Sequence, residues 1–360
     1  MSVPLFDTST PLAPLRGELR AAIGRVLDSE RYILGPEVQA FERELADYCG
    51  TSHGVGVANG TDAITIALRA MGVRPGDEVV VPSFSFYASA EAIPPTGARP
   101  VFCDIDPATY CVTAETVKAA LTPRTKAVVA VHLFGNLAPV AEIEALGVPV
   151  LEDAAQAAGS TSAAGRPGAL GRAATFSFFP SKNLACFGDG GIITTADEAI
   201  AERARALRLH GSRDKLTHQQ VGYNSRLDEL QAAILRVQLP HLDRWAQGRL
   251  RAGELYEREG LGKFVRLPRH RRGVSPAWHL YVVAHPLPER LEAGLRRDSI
   301  GHRAYYRTPI HRQPAMREWG RDVGLPATEE AARTSVAIPM SPLFTEQQAR
   351  EVVAAVATSA

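Results

Sequence analysis

The chain has 360 residues, 45% hydrophobic and 22% charged, a globular mix that excludes disordered and collagen-like classes. It is long enough for about two domains at roughly 100–200 residues each. Forty Lys+Arg against thirty-nine Asp+Glu leave a formal charge of +1 and no local basic run, which argues against a nucleic-acid partner.

No stretch approaches the roughly eighteen consecutive apolar residues of a membrane helix. The opening Met-Ser-Val-Pro-Leu-Phe-Asp has neither the basic nor the apolar region of a signal peptide. Cys49, Cys103, Cys111 and Cys186 form no CxxC pair and no metal-ligand spacing, so reduced thiols in a soluble cytoplasmic protein without a metal site are expected.

In chain order, Gly35-Pro36 opens a helix whose apolar residues Val38, Phe41 and Leu45 recur at three- and four-residue intervals. Continuous β-rich blocks predict strands at 79–81, 101–105, 127–131, 148–151, 175–178 and 191–194. Helical patterns fall between them at 61–71, 113–121, 139–146 and 197–209. This succession predicts an α/β fold with a mostly parallel central sheet and helices on both faces. A helix over 226–239 meets Pro240, and the boundary between a large unit, 1–240, and a smaller C-terminal α+β unit, 241–360, is placed there. The second unit shows a strand near 279–283, a helix from Pro288, and a last helix opened by the capping-box pair Thr345 and Gln348.

Lys182, one of only five lysines, stands in Phe176-Ser-Phe-Phe-Pro-Ser-Lys-Asn, among phenylalanines and ahead of a glycine turn. An amine held against apolar surface loses solvation of its charged form and becomes a usable nucleophile. A lysine snorkelling at the rim of a strand is the other reading. Val148-Pro-Val-Leu-Glu-Asp153 runs a strand straight into carboxylates, either at the ligand crevice of an α/β sheet or as a helix cap. Asn59-Gly60-Thr61-Asp62 opens a helix with amides suited to an anion, although its surroundings do not make a dinucleotide fingerprint. A phosphate site, a lysine and a carboxylate at one sheet edge are what pyridoxal 5′-phosphate requires.

These residues, with Val81-Pro-Ser-Phe-Ser-Phe86, Val131-His-Leu-Phe-Gly, Glu152-Asp-Ala-Ala-Gln156, Gly188-Asp-Gly-Gly191 and Gly222-Tyr-Asn-Ser-Arg-Leu-Asp-Glu229, carry a resemblance. From about Tyr32 to Ile338-Pro the chain resembles the sugar aminotransferases of the DegT/DnrJ/EryC1/StrS family, within the fold type I aspartate-aminotransferase superfamily. The resemblance implies pyridoxal 5′-phosphate as cofactor, Lys182 as its Schiff-base lysine and Asp153 as partner of the ring nitrogen. Gln156 would meet the phenolic oxygen and Phe86 would stack on the ring. Gly60, Thr61 and Asp62 would hold the phosphate through their amides, Ser177 through its hydroxyl. Asn224 would reach the phosphate of the neighbouring subunit, so the implied assembly is a homodimer with shared sites.

Family members with histidine in place of the lysine are deoxygenating, so Lys182 implies transamination. The implied reaction moves an amino group from an amino acid, L-glutamate by family precedent, to a nucleoside-diphosphate-linked keto sugar. The Asn-Ser-Arg-Leu-Asp-Glu form, with His210-Gly-Ser-Arg-Asp-Lys215 upstream, is similar to the 3-keto-sugar members. A 4-keto sugar nucleotide, a keto-cyclitol, or a non-catalytic cofactor-binding sensor are the alternatives. Arg226, Tyr306 and His311 are candidates for contacting the substrate, and His132 is read as structural.

Overall fold

The continuous Val, Ile and Ala blocks become the centre of the molecule in the computed structural model, which describes residues 3–359. Residues 1, 2 and 360, the start of the opening segment and the outer ends of the two expected units, lie outside it. Strands β1 (His53–Val57), β2 (Glu78–Pro82), β3 (Arg99–Cys103), β4 (Thr125–Val131), β5 (Val150–Asp153), β6 (Ala173–Ser177) and β7 (Gly191–Thr195) form one sheet. Its order is β1-β7-β6-β5-β4-β2-β3. Strands β3, β2, β4, β5 and β6 pair in parallel, while β7 runs antiparallel to both β6 and β1. The central strands are buried on both faces, which is why they read as unbroken apolar runs.

All six predicted strands are present, with ends displaced by two residues or fewer. Strand β1 was not predicted, because His-Gly-Val-Gly-Val carries two glycines in five residues. Those glycines are required by contact. Gly54 lies against the backbone of Glu42, and a Cβ at Gly56 would sit 3.0 Å from that of Leu227.

Helices α1 (Arg16–Ser29), α2 (Pro36–Cys49), α3 (Gly60–Ala70), α4 (Ala114–Ala120), α5 (Val140–Glu144) and α6 (Glu198–Arg208) accompany the sheet. Helix α7 (Glu229–Gln238) begins three residues later than the expected 226, a correction with a plain cause. The preceding residues are held extended by bridges of Asn224 to Leu209 and Asp228 to Ile33. Pro240 does not end the helical run; it sits in a 3-10 turn that joins α7 to α8 (Leu242–Arg258). Among the described residues no helix is long and apolar enough to cross a membrane. The four cysteines are buried free thiols.

A second core lies beyond α7. Strand β8 (Tyr281–Ala284) pairs antiparallel with β9 (Ser335–Ile338), beside helices α9 (Pro288–Arg297), α10 (Pro326–Thr334) and α11 (Glu346–Ala357). Tyr281 and Val283 pack with Leu291, Leu295, Val352 and Val356, whereas Leu280 and Val282 join the main core. Period-two alternation thus makes this short ladder a partition between the two cores. We propose a unit boundary near Pro240, a division that this second core supports. The predicted cap of α11 is present, with reciprocal bonds between Thr345 and Gln348 at 2.9 and 3.2 Å.

Two helices begin on carboxylates brought from elsewhere in the chain. Glu229 accepts the amides of Gly35, Glu37 and Val38 at 2.8–2.9 Å, closing the start of α2. Asp104 accepts those of Ala327 and Thr328 at 3.0 and 2.8 Å, closing the start of α10. A buried carboxylate at a helix start meets unpaired N–H groups and the positive end of the macrodipole together. The substitution Glu229→Ala therefore lowers the unfolding free energy by about 3 kcal/mol, and Glu229→Gln by less, in urea titrations at one protein concentration.

Candidate active site

The site is built at the carboxyl ends of the parallel strands, where open α/β sheets leave a crevice. Glu152 and Asp153 close β5, and alternation sends them to opposite faces. Glu152 accepts N–H groups from Gly168, Leu170 and Gly171 at 2.8–3.2 Å, and His132 Nε2 lies 2.8 Å from it. Because His132 Nδ1 accepts the Ala138 amide at 3.1 Å, Nε2 carries the proton and donates it to Glu152. His132 and Glu152 are structural, pinning the end of β5 from behind.

Asp153 faces the crevice. Its Oδ2 accepts the Ser89 hydroxyl at 2.7 Å, and Ser85 Oγ lies 2.9 Å from Ser89 Oγ. Its Oδ1 accepts the Ala155 amide at 3.2 Å. The carboxylate is therefore buried, oriented and supplied with donors on both oxygens. Ser85 and Ser89 escaped the sequence reading; the serine spacing through Ser83-Phe-Ser-Phe-Tyr-Ala-Ser89 was the only available signal.

Lys182 lies in the loop after β6, with its amide bonded to the Phe179 carbonyl at 2.8 Å. Burial pushes its pKa down from 10.5 to about 8, while the negative charge of Asp153 works in the opposite direction. The two groups that sequence drew from separate segments thus act on each other across one space.

Helix α3 starts at the rim of that space. Asn59 Oδ1 accepts the Asp62 amide at 2.8 Å, so of the three expected phosphate-binding amides one is already engaged. The amides of Gly60 and Thr61 meet no acceptor among the described residues, in contrast to the carboxylate-closed starts of α2 and α10. A Cβ at Gly60 would lie 2.7 Å from that of Ser177, which places the Ser177 side chain against the helix start.

Opposite, Gln156 is held at both ends of its side-chain amide and keeps one N–H free. Its Oε1 accepts the Phe134 amide at 2.9 Å and its Nε2 donates to Tyr306 Oη at 3.1 Å. Tyr306 stacks on Phe134 with ring centroids 6.2 Å apart and stands 6.4 Å from Phe86. The Phe86 ring is 54% exposed, so it is not a core residue but an open aromatic face. Tyr306 thus joins the crevice wall.

Three candidates remain, His311, Asn224 and Arg226. His311 is 2% exposed; its Nδ1 lies 2.6 Å from Ser83 Oγ and its Nε2 3.5 Å from Glu329. It ties the 310–312 turn to the end of β2, and burial holds its pKa below the ordinary histidine value. Asn224 is exposed on the segment before α7, beside Ser225, whose hydroxyl accepts the Ala58 amide at 3.1 Å. Arg226 is half-buried, with its Nε lacking a partner.

The set fits pyridoxal 5′-phosphate. It offers a desolvated amine, a buried carboxylate with fixed donors, two free amides with a hydroxyl beside them, and an uncovered aromatic face. Comparison with known proteins adds the lineage. The DegT/DnrJ/EryC1/StrS aminotransferase family model matches residues 15–357. The chain is 44% identical over 365 residues to a pleiotropic regulatory protein of Geobacillus stearothermophilus, covering 99% of this chain and 98% of that one. It is 43% identical over 363 residues to dTDP-3-amino-3,4,6-trideoxy-α-D-glucose transaminase of Streptomyces venezuelae, covering 98% and 95%. The crystal structure of S. venezuelae DesV in complex with a ketimine intermediate matches with a TM-score of 0.95 at 42% identity, covering 99% of this chain and 97% of that one. The chain belongs to the DegT/DnrJ/EryC1/StrS aminotransferase family.

Proposed function

We propose that this protein is a pyridoxal 5′-phosphate-dependent aminotransferase that moves an amino group from L-glutamate to C-3 of a nucleoside-diphosphate-linked keto sugar. The observation that carries the reading is the desolvated Lys182 amine sharing a crevice with the buried Asp153 carboxylate. The S. venezuelae transaminase, named for a nucleotide-linked 3-amino sugar, supports the acceptor class and the position.

When bound, pyridoxal 5′-phosphate carries the amino group between substrates and its protonated ring accepts the electron pair of the broken Cα–H bond. Asp153, oriented by Ser89 and the Ala155 amide, holds the proton on the ring nitrogen. The Gly60 and Thr61 amides and the Ser177 hydroxyl bind the phosphate. Phe86 covers one ring face and excludes water, and Gln156, fixed by Phe134 and Tyr306, sets the edge bearing the phenolic oxygen. Lys182 Nζ would take up the proton released at the donor Cα and, with the keto sugar bound, would return one to the sugar carbon that receives the amino group. The exposed Asn224 serves the neighbouring subunit in a homodimer.

The regulatory name of the Geobacillus relative favours a second reading, a cofactor-binding sensor. The two separate on purified protein supplied with cofactor, L-glutamate and 3-keto, 4-keto and cyclitol acceptors. The proposal expects a mass-identified 3-amino sugar nucleotide; a protein that binds cofactor but transfers nothing is a sensor. Lys182→Ala lowers turnover by at least about 10³-fold and removes the absorbance at the visible edge, and full activity in that variant contradicts the assignment.

The pH dependence follows from the Lys182 shift. Only the neutral amine attacks an aldehyde, so in cofactor-free protein the rate of cofactor capture rises about tenfold per pH unit below 8 and is flat above it. Stopped-flow absorbance measures this, and a rise continuing toward the ordinary lysine value near 10.5 contradicts it.

A further inference from the structure

The segment that leaves β2 carries three serines, and they serve different partners. Ser83 Oγ lies 2.6 Å from His311 Nδ1 and is spent on that turn. Ser85 and Ser89 converge instead on Asp153. Ser89 Oγ donates to Asp153 Oδ2 at 2.7 Å, and Ser85 Oγ stands 2.9 Å from Ser89 Oγ. Ser85, Ser89 and Asp153 are 3%, 1% and 5% exposed, so water has little access to these bonds. A single helical turn, Ala88–Glu91, places Ser89. The Ser89 amide donates to the Phe86 carbonyl at 3.2 Å, and the Thr65 hydroxyl of α3 donates to the Ala92 carbonyl at 2.9 Å, which fixes the turn on the sheet side.

The direction of the hydroxyl protons follows from their number. A serine has one proton to donate, and an ionised carboxylate only accepts. Ser89 gives its proton to Asp153, so Ser85 is the donor in the contact between the two serines. Both hydroxyl dipoles thus turn their positive ends toward Oδ2, and each bond polarises the next. The Ala155 amide meets Oδ1 at 3.2 Å, and each oxygen keeps a lone pair for a further donor. Lys182 and Tyr306 are the titratable groups whose charges couple to Asp153, and neither is hydrogen-bonded to it among the described residues. Burial raises the Tyr306 phenol above its ordinary range, so it stays neutral.

A buried carboxylate that faces a basic ring nitrogen can hold the shared proton in two ways. With the proton on nitrogen both groups are charged; with it on oxygen both are neutral, and burial by itself favours the neutral pair. Hydrogen bonds to the carboxylate act in the other direction, because they stabilise the anion. We propose that Ser85 and Ser89 form a hydroxyl relay that keeps this proton on the ring nitrogen of the bound cofactor, Ser89 directly through Asp153 and Ser85 through Ser89; this rests on the aminotransferase reading above. Both are positioning residues, since they act through the carboxylate. A protonated ring is the better electron acceptor, so the relay governs how fast the donor Cα–H bond breaks and not how tightly the donor binds. Orientation of Asp153 alone would give Ser85 no part in the reaction, and the relay gives it one.

The test uses protein loaded with pyridoxal 5′-phosphate whose ring nitrogen is isotopically labelled for NMR, because a protonated pyridine nitrogen resonates far upfield of a neutral one. Ser89→Ala is expected to move the resonance downfield and to lower kcat with L-glutamate about 10- to 100-fold, with KM changed less than about threefold. Ser85→Ala removes no contact to Asp153, yet it is expected to move the resonance the same way by less and to lower kcat about two- to fourfold. Ser89→Cys, close in size and a weaker donor, falls between wild type and Ser89→Ala. A folded Ser89→Ala protein with the wild-type resonance overturns the proposal whether or not its kcat falls, since a merely structural serine leaves the proton in place. A Ser85→Ala protein with the wild-type resonance overturns the relay as well. If Ser89→Ala does not fold, Ser89→Cys carries the same reading, and an unmoved resonance there overturns it equally. Wild-type protein whose ring nitrogen is itself neutral, or that takes an amino group from no amino acid, defeats the functional reading; active wild type with a protonated ring and indifferent serine variants defeats only this inference.

Discussion

The account depends on one interaction, an amine partly withdrawn from water under the influence of a carboxylate that is itself buried. Desolvation disfavours the ammonium form of Lys182, and the Asp153 charge restores part of what is lost. The balance leaves an amine that is far more often neutral near physiological pH than a surface lysine. An exposed lysine would bind a proton too firmly to act as a nucleophile, and one paired closely with a carboxylate would bind it more firmly still. The fold achieves the intermediate state by taking Asp153 from the end of β5 and Lys182 from the loop after β6, and by giving Asp153 its own donors, Ser89 and the Ala155 amide.

The same economy of charge runs through the scaffold. Glu229 and Asp104 close the starts of α2 and α10 from a distance, and Glu152 gathers three loop amides and a histidine behind the sheet. Glu229 and Glu152 are buried anions met by several donors and Asp104 is a half-buried one, the condition under which burial of charge is tolerated. Against that background the start of α3 stands apart, because the Gly60 and Thr61 amides meet no acceptor among the described residues. We propose that the cofactor phosphate supplies the acceptor that this helix start lacks.

Much of this was legible in the sequence, for identifiable reasons. Strands covered on both faces must be continuously apolar, so β2 to β7 were found with their ends within two residues. Strand β1 was not, because close backbone contact demanded glycine and glycine erases the strand signal. Helix α1 was missed too, since its buried stripe of Leu19, Ala22 and Val26 is narrow and its other residues largely polar. Lys182 and Asp153 were found because each is chemically out of place in its segment. Ser85 and Ser89 are ordinary residues in their local contexts, and only the fold brings them to Asp153. His311 shows the converse: it lies in a motif-like stretch, yet it serves to anchor a turn on Ser83.

The most direct test of the central claim fixes the cofactor where it binds. Protein loaded with pyridoxal 5′-phosphate is reduced with borohydride, digested, and searched by peptide mass spectrometry for a lysine carrying the reduced cofactor. The account predicts a single modified position, Lys182, in stoichiometric yield and lost on competition with excess amino donor. Modification spread over the surface lysines, or confined to Lys118, Lys126, Lys215 or Lys263, would contradict it.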